Sequence, residues 1–187
     1  MKEIDFALLL MKDGKISAAK DLLADLLQSD PQNPDALLHL GMCYSQLDNP
    51  EKAVQTLSEC VRHHPGHANA YVALGYAHSL LRENGQAREC FQKALELEPE
   101  NSFALQNLGN LYGMENDFAR AIECFEKSLA VNPADQQTAY CAGYVCLQTE
   151  KFDMAEKYFG LAVDLDRSTQ LAEAAMEMMR SIAERSR

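Results

Sequence analysis

Glycine and proline are scarce in this chain of 187 residues, nine and six in all, while 47% of its residues are hydrophobic. That balance excludes a low-complexity or flexible polymer and leaves room for a sizeable core. Cations are also in deficit. Seventeen Lys and Arg stand against 28 Asp and Glu, a formal charge of −11, which would repel nucleic-acid phosphates, so nucleic acid is not an expected partner. No uninterrupted apolar run is long enough to span a bilayer, so membrane insertion is not expected. The opening "MKEIDFALLLMKDG" has a short apolar centre with Glu3 and Asp5 where a secretion signal would be basic, and none is read there.

Catalytic and metal-binding patterns are missing as well. Cys43, Cys60, Cys90, Cys124, Cys141 and Cys146 form no C-x-x-C pair and no zinc-type spacing. They read as small buried apolar residues, and an unpaired thiol set of this kind points to a reducing compartment, the cytoplasm. His63, His64 and His67 gather around one turn with His39 and Cys60 within reach, but no ligand spacing completes them, so the expectation is a solvated turn and no metal. No Ser-His-Asp spacing, nucleotide loop or carboxylate pair stands out, so no enzyme and no cofactor are expected.

What the chain does have is a period. Gly41, Gly75, Gly109 and Gly143 stand 34 residues apart, as do Ala53, Ala87, Ala121 and Ala155, and Pro31, Pro65, Pro99 and Pro133. Leu57, Phe91, Phe125 and Phe159 keep the same phase, and so do Leu40, Leu74, Leu108 and Ala142. Glycine inside a helix costs about 1 kcal/mol against alanine, so four at one phase need a compensating close approach between helices. The expected contact is the small Ala slot of the second helix in each pair, with Phe, Leu or Tyr filling the space beside it. The proline ends that second helix. Asn33, Asn101 and Asp135 read as N-caps. Mid-repeat breakers are Asp13-Gly14, Asp48-Asn49-Pro50, Asn84-Gly85 and Asn116-Asp117.

These slots, in order an apolar residue, Leu-Gly, Tyr, Ala, Phe, Ala and Pro, resemble the tetratricopeptide repeat family. The resemblance implies an all-α fold, a right-handed superhelical solenoid of antiparallel helix pairs with about five repeats and a C-terminal capping helix. The expected units are a degenerate 1–33, then 34–67, 68–101 and 102–135, a divergent 136–168, and a cap at 169–187. Ala142, Cys146 and Arg167 depart from the pattern in the divergent unit, and with Arg167 in the proline slot its second helix is expected to run on by a residue or two. Leu171, Ala174, Ala175, Met178 and Ile182 make the stripe expected to bury the cap.

Family geometry also says which side chains line the concave wall. They are Leu38 and Met42, Val72 and Tyr76, Gln106, Asn107 and Asn110, and Tyr140 and Tyr144. This wall is almost uncharged and suits a peptide or helix with apolar anchors, the amides supplying hydrogen bonds and the tyrosines contact area. The family's two-carboxylate clamp for acidic chaperone tails needs Lys and Asn on one A helix, Asn on the next and Lys and Arg on the third. Those slots read Leu38, Met42, Ala73, Phe103 and Asn107 in one register and Val72, Tyr76, Asn107, Gln137 and Cys141 in the other, so with no basic residue in either that binding is not expected. The function implied is a protein–protein interaction scaffold without catalysis. Two alternatives stand beside it. One is a homo-oligomer assembled through the apolar first helix at Ile4, Leu8 and Leu9. The other resembles the small acidic tetratricopeptide chaperones of secretion systems.

Overall fold

The computed structural model describes residues 3–185, with side chains through Glu184. Eleven helices follow one another: α1 (Glu3–Lys12), α2 (Ile16–Ser29), α3 (Pro34–Gln46), α4 (Pro50–His63), α5 (Ala68–Leu80), α6 (Asn84–Leu97), α7 (Ser102–Met114), α8 (Phe118–Val131), α9 (Gln136–Gln148), α10 (Phe152–Leu165) and α11 (Gln170–Arg185). Among the described residues there is no strand. The helices fall into two compact units, residues 1–99 and 100–187. In the first, α1 packs on α2, α3 on α4 and α5 on α6, and each pair also packs on the next. In the second, α7 packs on α8, α9 on α10, and α11 lies against α10 and α9. We call the first helix of each pair helix A and the second helix B.

Side-chain caps start several helices. Asn33, Asn101 and Asp135 each accept a hydrogen bond from the backbone three residues on, at Ala36, Ala104 and Thr138. The turns between A and B close in one repeated way. Gly14, Asp48, Arg82, Asn116 and Glu150 have φ of 74°, 56°, 60°, 61° and 56°. The next amide donates back to the helix, as Asn49 N to Tyr44 O and Asp117 N to Tyr112 O, at 3.0 and 2.9 Å. This is the left-handed cap that satisfies the last carbonyls of a helix. In the third pair the break therefore falls at Arg82, and not at Asn84-Gly85, which open α6. Closure of the hairpin overrides the local preference of an arginine.

The glycine slot corrects a second expectation. A Cβ on Gly41 would lie 2.4 Å from Leu57 Cγ, and on Gly75, Gly109 and Gly143 it would lie 2.6 to 2.7 Å from the rings of Phe91, Phe125 and Phe159. The glycine thus faces the large residue of helix B, not the small Ala slot. Those three rings are at most 1% exposed, and the Ala slot is closed completely around them. Truncating a buried Phe to Ala typically removes about 3–5 kcal/mol, so these interlocks weigh heavily in the stability of each pair.

Polar ties join the start of helix A to helix B. Ser128 Oγ donates to Ser102 O at 3.0 Å, and Cys60 Sγ lies 3.6 Å from Pro34 O at the same phase. In the next copy Gln136 Nε2 donates to Ala162 O and to Asp166 O, both at 2.7 Å. That amide, with Ser168 bonded to Asp166 Oδ1, holds the end of α10 without a proline. So α10 stops at Leu165 and does not run on. The cap α11 buries Ala172, Ala175 and Ile182, while Ala174 remains half-buried. Ala175 and Ile182 form the centre of the expected stripe, Leu171, Ala174 and Met178 flank it half-buried, and Ala172 joins it.

Candidate functional site

Beyond α1, which carries Glu3, Asp5 and Lys12, the A helices are almost free of charge. Across α3, α5, α7 and α9 the one charged residue is Asp35, while every B helix carries several. In the first unit Leu38 and Val72 are 7% and 9% exposed. Leu38 packs with Leu37, Leu57 and Leu74. Both residues sit in the packing and offer a partner little surface. Met42 is half-buried and Tyr76 stands out at 46% exposure. The hydroxyls of Ser45 and Ser79 turn back onto Gly41 O and Gly75 O at 3.3 and 3.0 Å. On α1, Ile4 is half-buried, and Phe6, Leu8 and Leu9 are exposed.

The second unit has the more open face. Asn107 Nδ2 donates to Phe103 O at 2.8 Å, which spends one of its donors inside the helix and leaves its oxygen as acceptor. Gln106 and Asn110 are half-buried beside it. Phe103 and Met114, not expected as site residues, are the most exposed large apolar side chains on α7, at 61% and 69%. Phe103 had a signal in the sequence, since the same repeat position reads Asp35, Asn69 and Gln137 elsewhere. On α9 the Tyr140 ring rests on Phe159, with centroids 5.6 Å apart and planes at 56°. Tyr144, one turn on, is 46% exposed.

All six cysteines are free. Burial pushes the thiols of Cys43, Cys60, Cys90 and Cys124 up to about 11, far from the range of a reactive thiolate. Arg62 Nη2 donates to His63 Nε2 at 2.7 Å, and His64 Nε2 donates to Gln32 O at 2.6 Å. Among the described residues no three His, Cys, Asp or Glu side chains assemble into a metal cage. His78 pairs with Glu83 at 2.6 Å and takes the place of the repeat's tyrosine by a polar contact. His39 Nδ1 is buried without a hydrogen-bond partner, and burial lowers its pKa, Asp35 opposing and His67 reinforcing the shift. A shallow cavity of about 460 Å³ opens between Pro34, His64, His67, Asn69 and Glu98.

Four models of the tetratricopeptide repeat family match residues 10–75, 68–101, 102–135 and 138–169. This chain belongs to the tetratricopeptide repeat family. Solved structures agree on the fold. MamA is 27% identical over 85% of this chain and 93% of its own, with a TM-score of 0.70. TTC0263, a thermophilic tetratricopeptide protein of Thermus thermophilus, is 18% identical, covers 97% of both chains and superposes with a TM-score of 0.83. YrrB, described as a tetratricopeptide protein with an unusual peptide-binding site, is 21% identical over 94% of this chain and 90% of its own, at 0.66. No curated protein matches by sequence. The fold is an all-α tetratricopeptide solenoid, a scaffold for protein–protein interaction. Among the described residues no helix is long and apolar enough to cross a membrane.

Proposed function

We propose that this tetratricopeptide chain is a cytoplasmic, non-enzymatic scaffold that binds an extended or helical segment of a partner protein along the faces of its A helices. One observation carries the reading. In a chain of charge −11, the exposed side chains on α3, α5, α7 and α9 are nearly all neutral, with an aromatic anchor at Tyr76 in the first unit and, in the second, apolar and aromatic anchors at Phe103, Met114 and Tyr144 with the amides Gln106, Asn107 and Asn110. Such a surface loses little hydration of charge when it is covered, and it gains by apolar burial and amide pairing to a peptide backbone. Met42 and Tyr140 extend the same chemistry as half-buried contacts. YrrB gives a precedent for a peptide site on this fold. The absence of Lys and Arg on α3, α5, α7 and α9 argues against an acidic tail as ligand.

The test is selection of random peptides on the full chain, repeated with Tyr76→Ala and with Asn110→Ala combined with Tyr144→Ala. Peptides that bind the wild type and lose binding to either variant, at unchanged helicity and melting temperature, are the expected result. Equal binding to all three proteins sinks the reading.

A second reading rests on α1, where Phe6, Leu8 and Leu9 are 44%, 39% and 46% exposed within ten residues, with Ile4 half-buried beside them. An apolar patch of this kind fits self-association. Sedimentation equilibrium should show an oligomer that Leu8→Glu converts to monomer. A monomeric wild type removes this reading.

A further inference from the structure

Phe6 and Leu9 stand in repeat slots that other A helices bury. The same slots hold Leu40 and Cys43 in α3, Leu74 and Ala77 in α5, and Ala142 and Val145 in α9, none more than 6% exposed. In the first unit the preceding helix B closes them. α2 packs on α3, and Leu40 and Cys43 share a core with Ala19 and Leu23 of α2. α4 packs on α5, and Leu74 and Ala77 share a core with Leu57 and Cys60 of α4. Among the described residues no helix precedes α1, and Phe6 and Leu9 are 44% and 46% exposed. They form an open joint that one more apolar helix would close.

Resting on the self-association reading above, we propose that a second copy of this chain closes the joint, with the two α1 helices antiparallel and Phe6 of each copy against Leu9 of the other. Three features support this occupant. The first is self-complementary spacing. Phe6 and Leu9, three residues apart, share one side of α1. A two-fold axis between them sets each Phe6 opposite the partner's Leu9, so one contact closes both open joints.

The second feature is charge. α1 is acidic in its first turn, at Glu3 and Asp5, and basic in its last, at Lys12. Asp5 and Lys12 are two turns apart, both exposed, and line one edge of the stripe made by Phe6 and Leu9. Antiparallel pairing brings Asp5 of each copy toward the partner's Lys12. Parallel pairing would set like charges together. The third feature is the opposite end of the chain. α11 carries Glu173, Glu177 and Arg180, all exposed, in the slots where α9 buries Ala139, Gly143 and Cys146. Seating that face on Phe6 and Leu9 would take charges out of water against apolar side chains. Association therefore closes at two copies and does not run head to tail.

The experiment is sedimentation equilibrium of the full chain at low ionic strength across a wide range of concentrations. A single monomer–dimer equilibrium is expected. Phe6→Glu and Leu9→Glu, both at exposed positions, should each leave only monomer, with helicity by circular dichroism unchanged. Lys12→Glu and Asp5→Lys should each weaken the dimer about tenfold, because symmetry turns two attractions into two repulsions. The two combined should restore the wild-type affinity to within about threefold. Single charge swaps without loss, a double variant no tighter than either single one, or association that grows beyond two copies would each overturn the antiparallel joint. Any of these leaves self-association through α1 standing, provided that Leu8→Glu still yields monomer. A wild type that stays monomeric at every concentration overturns both, whatever other helix the joint accepts.

Discussion

Gly109 and Phe125 interlock, because a Cβ built on the glycine would lie 2.7 Å from Cε1 of a ring that is 1% exposed. The same relation holds for Gly75 with Phe91 and Gly143 with Phe159. The glycine is therefore a hole shaped for one ring. Where Leu takes the place of Phe, at Leu57, its branch point comes closer still to Gly41, so a smaller residue does not relax the constraint.

Gly109→Ala gains about 1 kcal/mol of helix propensity but overpacks a rigid ring, which typically costs about 1–3 kcal/mol. The expected net result is a loss of up to about 2 kcal/mol in urea unfolding. Gly160, inside α10, has nothing within 4 Å of a built Cβ. Gly160→Ala should therefore stabilise, by up to about 1 kcal/mol. If both substitutions move stability in the same direction, the interlock is wrong.

The period is open to inspection in the sequence because steric slots repeat by residue type. A missing side chain at Gly75 and a ring at Phe91 leave the same letters in nearly every copy. Their pairing is not open, since Gly75 to Phe91 and Gly75 to Ala87 are both spacings within one hairpin, and only the placed ring distinguishes them. The turn at Arg82 is hidden for another reason. A left-handed residue imposed by hairpin closure needs no glycine, and the nearby Asn84-Gly85 gives a stronger local signal. On the candidate surface, Tyr76 and Tyr144 are exposed as phase suggests, while Leu38 and Val72, one turn earlier on the same side of their helices, are drawn into the packing. Phase tells which side of a helix a residue occupies. It does not tell how closely the neighbouring helix covers it.

The five left-handed turn residues give a graded test. Gly14 adopts φ of 74° without a Cβ penalty, and Glu150 adopts 56° against one. Gly14→Ala should cost about 1 kcal/mol, and Glu150→Gly should gain about 0.5–1 kcal/mol after the extra unfolded-state entropy of glycine is allowed for. Asn116→Gly should gain less, because asparagine tolerates this region. Thermal melts of the three variants decide it, and the order Glu150→Gly above Asn116→Gly above wild type is required.

α5 begins without a side-chain cap although its backbone is ready for one. His67 has φ −90° and ψ 88°, close to the −84° and 93° of Asp135, which caps α9. His67→Asp should supply the missing acceptor and a favourable charge at the helix start, adding about 1 kcal/mol. Asn101→Ala, which removes an existing cap from α7, should lose about the same. A loss in the second variant with no gain in the first would show that the His67 position cannot cap.

The buried thiols set the alkaline limit. Burial disfavours the thiolate, so Cys43, Cys60, Cys90 and Cys124 titrate at about 11 in the folded chain, against about 8.5 when unfolded. The unfolded chain then releases protons that the folded chain keeps. Stability from these groups is fully present below about pH 8.5 and declines as the pH rises toward about 11. The raised pKa values of Tyr140 and Tyr158, both led by burial, act in the same direction. Urea midpoints measured under reductant at intervals from neutral pH to about pH 10.5 should fall steadily above the thiol range. Cys124→Ala removes one of these groups while keeping a small apolar residue, so its stability should depend less steeply on pH than the wild type's. Iodoacetamide should label the native thiols slowly at mildly alkaline pH and rapidly once urea unfolds the chain. A flat wild-type profile, or a Cys124→Ala profile as steep as the wild type's, would refute burial as the cause.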